Sequence, residues 1–143
     1  TDLDISQMLR KVCRQFRGRM EDKQMELRMD IQPEYHYQGD RRLMEKVFTN
    51  VIGNAVAYSP VGAVITVIQK DEVFSVENTG VHIAEEDLER IFTPFYRVDK
   101  SRNRNSGGSG LGLYITKTIL DHHEIIHNMV NTENGVKFTA FLW

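Results

Sequence analysis

Cysteine, tryptophan and proline are scarce in this sequence, and neither sign of charge dominates it. Of 143 residues one is Cys, one is Trp and three are Pro. A lone Cys13 excludes an internal disulfide framework and a zinc site built on several thiolates, and it suits a reducing compartment. Lys and Arg number 18 against 20 Asp and Glu, so no global field draws the chain to nucleic acid or to anionic lipid. No apolar run approaches the ~18 residues of a membrane span, and no signal peptide is recognisable. What remains is 41% hydrophobic and 27% charged, an ordinary soluble composition long enough to bury a core. One domain over residues 1–143 is expected. The sequence opens TDLDISQML without Met, and we expect it to be cut from a longer chain.

Periodicity supplies the elements. Ile5, Met8, Leu9, Val12, Phe16 and Met20 recur at three- and four-residue spacing and predict an amphipathic helix over 4–20. MELRMDI (25–31) alternates apolar and charged residues, as a half-buried strand does. PEYHYQG (33–39) reads as a loop, after which Asp40 caps a helix running to Tyr58 and ending at Pro60 and Gly62. AVITVI (63–68) and VFSVEN (73–78) form a hairpin around QKDE. AEEDLERIF (84–92) predicts a short helix, and RVDKSRNRNSGGS (97–109) a mobile loop without periodicity. GLYITKTILD (112–121) is a third main helix, and EIIHNMVN with VKFTAFLW closes the chain as a hairpin around TENG. Helices mixed with hairpins predict an α/β fold: a two-layer sandwich, a mixed sheet of about five strands with three main helices on one face.

Four glycines lie between Gly107 and Gly112, just before the third helix. Glycines at a helix start suit a phosphate held by backbone amides. The P-loop pattern fails, because no Gly-Lys-Ser/Thr follows the glycines. The dinucleotide pattern fails too: a basic loop stands where its strand belongs, and Leu113 occupies its third glycine. That loop carries Arg97, Lys100, Arg102 and Arg104 against one Asp99. Alone it is a solvated charged loop; beside the glycines it suits a polyphosphate.

Two further elements invite a reason. Asn50 and Asn54 stand four apart on the predicted 40–58 helix, so they share a face. Asn is a poor residue in mid-helix, by roughly half a kcal/mol against Ala. Their amide oxygens are hard neutral ligands suited to Mg²⁺ that takes its other ligands from water and phosphate; a polar outer face is the plainer reading. In VENTGVHI (76–83), Asn78 ends a strand just before Gly80. An amide there suits an adenine edge, and a glycine there allows close approach to a flat ligand; an unremarkable strand-to-helix turn fits as well.

In this order and spacing, with FTPFYR, these elements resemble the catalytic ATP-binding domain of bacterial sensor histidine kinases, within the wider family of gyrase, Hsp90 and MutL ATPases. NVIGNAVAYSP is similar to the family's N box and ENTGVHI to its first glycine box. IFTPFYRVD resembles its F box and SGLGLYITK its second glycine box. The resemblance implies ATP and Mg²⁺ as cofactors. It places Asn50 and Asn54 on Mg²⁺ and the phosphates, with Tyr58 lining the site. Asn78 and Gly80 would meet adenine, Phe92 and Phe95 would anchor a lid, and Arg97 would approach the polyphosphate and, with Asn50, take part in catalysis. Gly108, Gly110 and Gly112 would wrap the phosphates. Ile83, Lys100, Leu111 and Leu113 complete the implied nucleotide-binding set.

The departures are specific. The family usually has Asp where this chain has Asn78; a neutral acceptor holds the adenine amine less strongly than an ionised one. Its second glycine is His82, a side chain that either crowds the pocket, stacks on the base or points to solvent. A Lys often found before the N-box Tyr is Ala57. HHEII replaces a common His-Gly-Gly. Gyrase, Hsp90 and the anti-sigma-factor kinases carry a Glu base at the position of Asn50, so efficient water activation is not expected.

The resemblance therefore implies transfer of the γ-phosphoryl group to a His on a separate dimerisation domain of the same protein, then to a response regulator's receiver domain. His36 (in the loop), His82, His122, His123 and His127 offer no such acceptor. The parent would be a homodimeric membrane sensor with this part in the cytoplasm. Two rivals stay open: a nucleotide-sensing or scaffold domain whose pocket has decayed, and a self-contained ATPase or serine kinase.

Overall fold

The computed structural model describes residues 1–93 and 112–143. A short strand β1 (Asp2–Asp4) leads into helix α1 (Ile5–Asp22); β2 (Glu26–Ile31) and β3 (His36–Gln38) precede helix α2 (Arg41–Tyr58). The hairpin β4 (Val64–Lys70) and β5 (Val73–Thr79) follows, then a single turn α3 (Glu85–Leu88), helix α4 (Gly112–His122), and the hairpin β6 (Ile126–Asn131) and β7 (Gly135–Phe141). The main sheet runs β2-β4-β5-β7-β6. Only the β2–β4 pair is parallel; the rest are antiparallel. This is the expected mixed five-stranded sheet with α1, α2 and α4 over one face.

Register explains which face the helices cover. Ile65, Asn78 and Val136 lie side by side across three strands, as do Val67, Val76 and Phe138, and then Gln69, Phe74 and Ala140. All nine are buried, as period-two alternation demands of a sheet packed on one side. Phe48 of α2 meets Phe74 edge-on at 5.1 Å, and Phe74 meets Phe138 at 6.3 Å. Each buried phenylalanine contributes about 1.5–3 kcal/mol. Gln69 is a polar residue in this core, and both ends of its amide are satisfied. Ser6 Oγ donates to its Oε1 at 2.8 Å, and its Nε2 donates to the Asp71 carbonyl at 2.9 Å.

The helix ends follow the sequence signals. Asp4 accepts from the Gln7 amide and Asp40 from the Leu43 amide, each satisfying an N–H left free in the first turn. Lys23 donates to the carbonyls of Val56 (2.8 Å) and Ala57 (3.4 Å), a cation on the negative end of α2. After α4, Glu124 takes the left-handed region at φ 58°, a position where glycine is usual. The HHEII departure thus changes the turn's residue and keeps its geometry.

Three expectations are corrected. PEYHYQG is not all loop: β3 pairs antiparallel with β1, matching Asp2 to Gln38 and Asp4 to His36. Three residues are too few for alternation to show, and the partner strand lies 34 residues away. His36 is therefore a strand residue. The segment 84–92 is helical only over Glu85–Leu88. Met29, read as half-buried, is 45% exposed, because β2 is an edge strand.

The β1–β3 pair carries its own pH dependence. His36 Nε2 meets a Glu34 carboxylate oxygen, and Nδ1 meets Asp2 Oδ2 at 2.7 Å; the Asp4 carboxylate lies in the same group. Hydrogen bonding to Glu34, then to Asp2, raises the imidazole pKa above its usual 6.5. Folding thus favours the imidazolium. That stabilisation is full below the ordinary histidine pKa and is lost as pH rises through the elevated one. We expect the melting midpoint to fall as pH rises above the ordinary histidine pKa and through the elevated one, and His36→Gln to flatten that slope. An unchanged slope in the variant would show that the pair adds nothing.

Candidate functional site

Helix α2 forms one wall of the site. Asn50 and Asn54 sit on it, both half-buried. Asn50 Nδ2 donates to the carbonyl of Gly112, the first residue of α4, at 3.3 Å. The same carbonyl accepts from Thr116 Oγ1 at 2.9 Å. The stripe of α2 that carries both asparagines is thereby fastened to the helix that follows the glycine segment. With its N–H engaged, Asn50 keeps its amide oxygen free of any partner among the described residues. The Asn54 side chain makes no hydrogen bond among the described residues. Tyr58 ends the helix, 37% exposed.

Strand β5 forms the second wall. Asn78 is only 8% exposed and faces the helices between Ile65 and Val136. Its side chain has no hydrogen-bond partner among the described residues, yet no fully buried side-chain polar atom there lacks one. Its amide therefore opens onto space that solvent reaches. A nearly buried amide without a partner is destabilising unless something else satisfies it, which is what a ligand's donor and acceptor pair would do.

Gly80 follows at φ 87°, and a Cβ there would lie 2.6 Å from Pro60 Cγ. Only glycine combines that left-handed backbone with that contact. The contact also orients the site: the end of β5 abuts the residue just beyond the end of α2.

The hairpin turn β6–β7 holds the loop after Gly80, and reading the sequence missed this. Asn131 accepts from the Ile83 amide at 2.9 Å and donates to its carbonyl at 2.7 Å. His82 Nε2 lies 2.9 Å from the Thr132 carbonyl, while Thr132 Oγ1 donates to Glu77. His82 is exposed and engaged on this turn, which matches the solvent-facing alternative. The TENG segment carried only a turn signal; its grip on residues 82 and 83 depends on contacts about 50 positions apart.

Phe92 is half-buried and meets the His127 ring edge-on at 5.4 Å, so it anchors residues 91–93 to β6. Leu113 is half-buried in the first turn of α4. The structure thus brings Asn50 to Gly112 and Asn131 to Ile83. Phe95, Arg97, Lys100, Gly108, Gly110 and Leu111 lie outside the described residues.

Donor chemistry fits a divalent cation that arrives with its own anionic ligands. Two neutral carboxamides on one face are too few and too weak to hold Mg²⁺ alone, but suit Mg²⁺ on a polyphosphate. Among the described residues the one group of three carboxylate or imidazole ligands is Asp4, Glu34 and His36, on β1, the loop between β2 and β3, and β3.

Comparison with known proteins converges on one family. Residues 39–143 match the model described as Histidine kinase-, DNA gyrase B-, and HSP90-like ATPase. Sensor-like histidine kinase SenX3 of Mycobacterium tuberculosis is 33% identical over 87% of this chain and 31% of its own length. Sensor histidine kinase CusS of Escherichia coli is 34% identical over 98% of this chain and 30% of its own. The chain therefore spans about a third of these curated relatives. The catalytic domain of histidine kinase ThkA superposes with a TM-score of 0.87 at 27% identity, covering 99% of this chain and 95% of that one. ThkA has also been solved in complex with a response regulator protein, TrrA (TM-score 0.82, 26% identity, 99% of this chain and 41% of that one). With most of its length on that family's model and relatives above 30% identity across nearly the whole chain, this chain belongs to the histidine kinase-, DNA gyrase B- and HSP90-like ATPase family.

Proposed function

We propose that this chain binds Mg·ATP and presents its γ-phosphoryl group to a histidine on a separate dimerisation domain, as the catalytic part of a two-component sensor histidine kinase. The observation that carries this reading is the fastening of Asn50 to Gly112, which sets the α2 asparagine stripe beside the start of α4. Asn78 and Gly80 would receive adenine at the far end, near Tyr58 and Pro60. Asn50 and Asn54 would hold Mg²⁺, which when bound neutralises the phosphate oxygens. The chain's own contribution is to align the terminal phosphoryl for in-line attack. Arg97, Lys100 and the glycines at 108 and 110 would add charge and backbone donors.

The family resemblance to sensor kinases supports residues 1–143 as one catalytic domain whose acceptor lies elsewhere. It also supports a homodimeric, membrane-anchored parent with this part in the cytoplasm. No helix among the described residues is long and apolar enough to cross a membrane. A response regulator is the proposed downstream partner; the structure of ThkA in complex with the response regulator protein TrrA supports this. The decayed-scaffold alternative loses one support, because His82 is held outward by Thr132.

Labelled Mg·ATP tests the reading. The chain alone is expected to gain no label. Together with the dimerisation domain of its parent it should transfer acid-labile, base-stable phosphate to that domain. Rapid release of free phosphate by the chain alone, or acid-stable label on Ser or Thr, would assign it instead to the self-contained members of the family.

A further inference from the structure

A cleft of about 340 Å³ opens beyond Asn50, lined by Arg42, Glu45, Lys46, Thr49 and Asn50. All five fall on one stripe of α2, at spacings of three, four, seven and eight residues. Its charge is not balanced. The Glu45 carboxylate pairs with Lys11 at 3.7 Å, while neither Lys46 nor Arg42 has a carboxylate partner among the described residues. Two cations thus face a cleft whose inner end is an asparagine of the candidate nucleotide site.

The polarity of the site says what such a cation meets. Pro60 against Gly80 puts the base end at the C-terminal end of α2. The bond from Asn50 to Gly112 puts the phosphate end further back along the helix. Tyr58, Asn54, Asn50 and Lys46 follow one another at four-residue steps, roughly 6 Å each. A triphosphate that starts near Tyr58 and passes Asn54 has its last phosphate beside Asn50, within reach of a lysine one turn on. Arg42 is a further turn away, about 12 Å from Asn50 along the axis.

We propose that Lys46 binds the terminal phosphate of the nucleotide and makes the site discriminate ATP from ADP. This rests on the assignment of the nucleotide site above and extends it by one residue. It also supplies from Lys46 a charge of the kind that the family often places at the position of Ala57. A lysine ammonium acts on phosphate as a point charge with three donors. Contact with the γ-phosphate alone leaves ADP binding untouched.

The test is calorimetric titration of wild type, Lys46→Gln and Lys46→Arg with Mg·ADP and with a non-hydrolysable Mg·ATP analogue. As a control for net charge, Lys70→Gln removes a lysine that pairs with Asp30 at 3.0 Å on another part of the surface. Lys46→Gln is expected to weaken the ATP analogue about tenfold, as for a lost charge-assisted bond, with ADP affinity unchanged and Lys46→Arg near wild type. Equal weakening of both nucleotides, or no change in either, would overturn the assignment of Lys46 while leaving the nucleotide site standing. A wild-type chain that binds neither nucleotide would overturn both.

Discussion

Asn54→Ala is expected to weaken Mg·ATP binding by about thirtyfold or more while leaving the folded domain at least as stable. The two effects have opposite signs for one reason. Asn54 lies mid-helix, where alanine is the better residue by roughly half a kcal/mol, and its side chain makes no internal hydrogen bond among the described residues. Nothing in the fold therefore needs its amide. If that amide is a ligand of nucleotide-bound Mg²⁺, its removal takes away an inner-sphere contact and nothing else. Calorimetry with a Mg·ATP analogue, alongside thermal melting, reads both quantities. Asn50→Ala differs, because it also breaks the bond from α2 to the Gly112 carbonyl. Losing that bond costs about 1 kcal/mol, offset in part by the roughly half a kcal/mol that alanine gains in mid-helix, so a net loss of about half a kcal/mol is expected. An Asn54→Ala variant that melts lower and binds as before would make the asparagine structural.

Gly135→Ala has the largest expected effect on the fold. Gly135 stands opposite Thr79 where β7 begins, and a Cβ on it would lie 1.7 Å from the Asn78 carbonyl oxygen and 2.8 Å from the Thr79 Cα. Both obstacles are backbone, so no rotamer change relieves them. The pairing of β5 with β7 must open beside Asn78. We expect a loss of roughly 3 kcal/mol or more, near 10 °C in melting temperature for a chain of this size. Nucleotide affinity should fall with it, since Asn78 and the hairpin turn that grips Ile83 shift together. Gly18 is the internal comparison: a Cβ there meets nothing within 4 Å. Gly18→Ala on exposed α1 should stabilise by about 1 kcal/mol. Equal melting of the Gly135 variant and wild type would contradict this account of the site's floor.

What could be read from the sequence was what repeats locally. The spacing of Leu43, Val47, Val51 and Ala55 located α2, Asp40 its cap, and Asn50 with Asn54 its polar stripe. The alternation in AVITVI and VFSVEN located the hairpin that carries Asn78. Contacts made across the chain left no such trace. Asn131 has an ordinary place at the end of an edge strand, and its double bond to Ile83 exists only once β6 is laid beside β7. Lys23 carries no local signal of its bond to the end of α2, which lies more than 30 residues further along the chain. His36 lay in a segment too short to alternate. Nothing in the local pattern marks Lys46; its place beside Asn50 in the cleft shared with Arg42 and Glu45, with Glu45 paired to Lys11, emerges only from the fold.

The central claim is the location of the nucleotide, and the side-chain amides of the asparagines report on it directly. An isotope-labelled chain would be titrated with Mg²⁺ and a non-hydrolysable ATP analogue while its amide resonances are followed by NMR. We predict saturable shifts at Asn50, Asn54 and Asn78, and none at Asn128, which lies exposed on edge strand β6. Asn50, Asn54 and Asn78 unmoved at millimolar ligand, or shifts gathered instead around Asp2, Glu34 and His36, would contradict it.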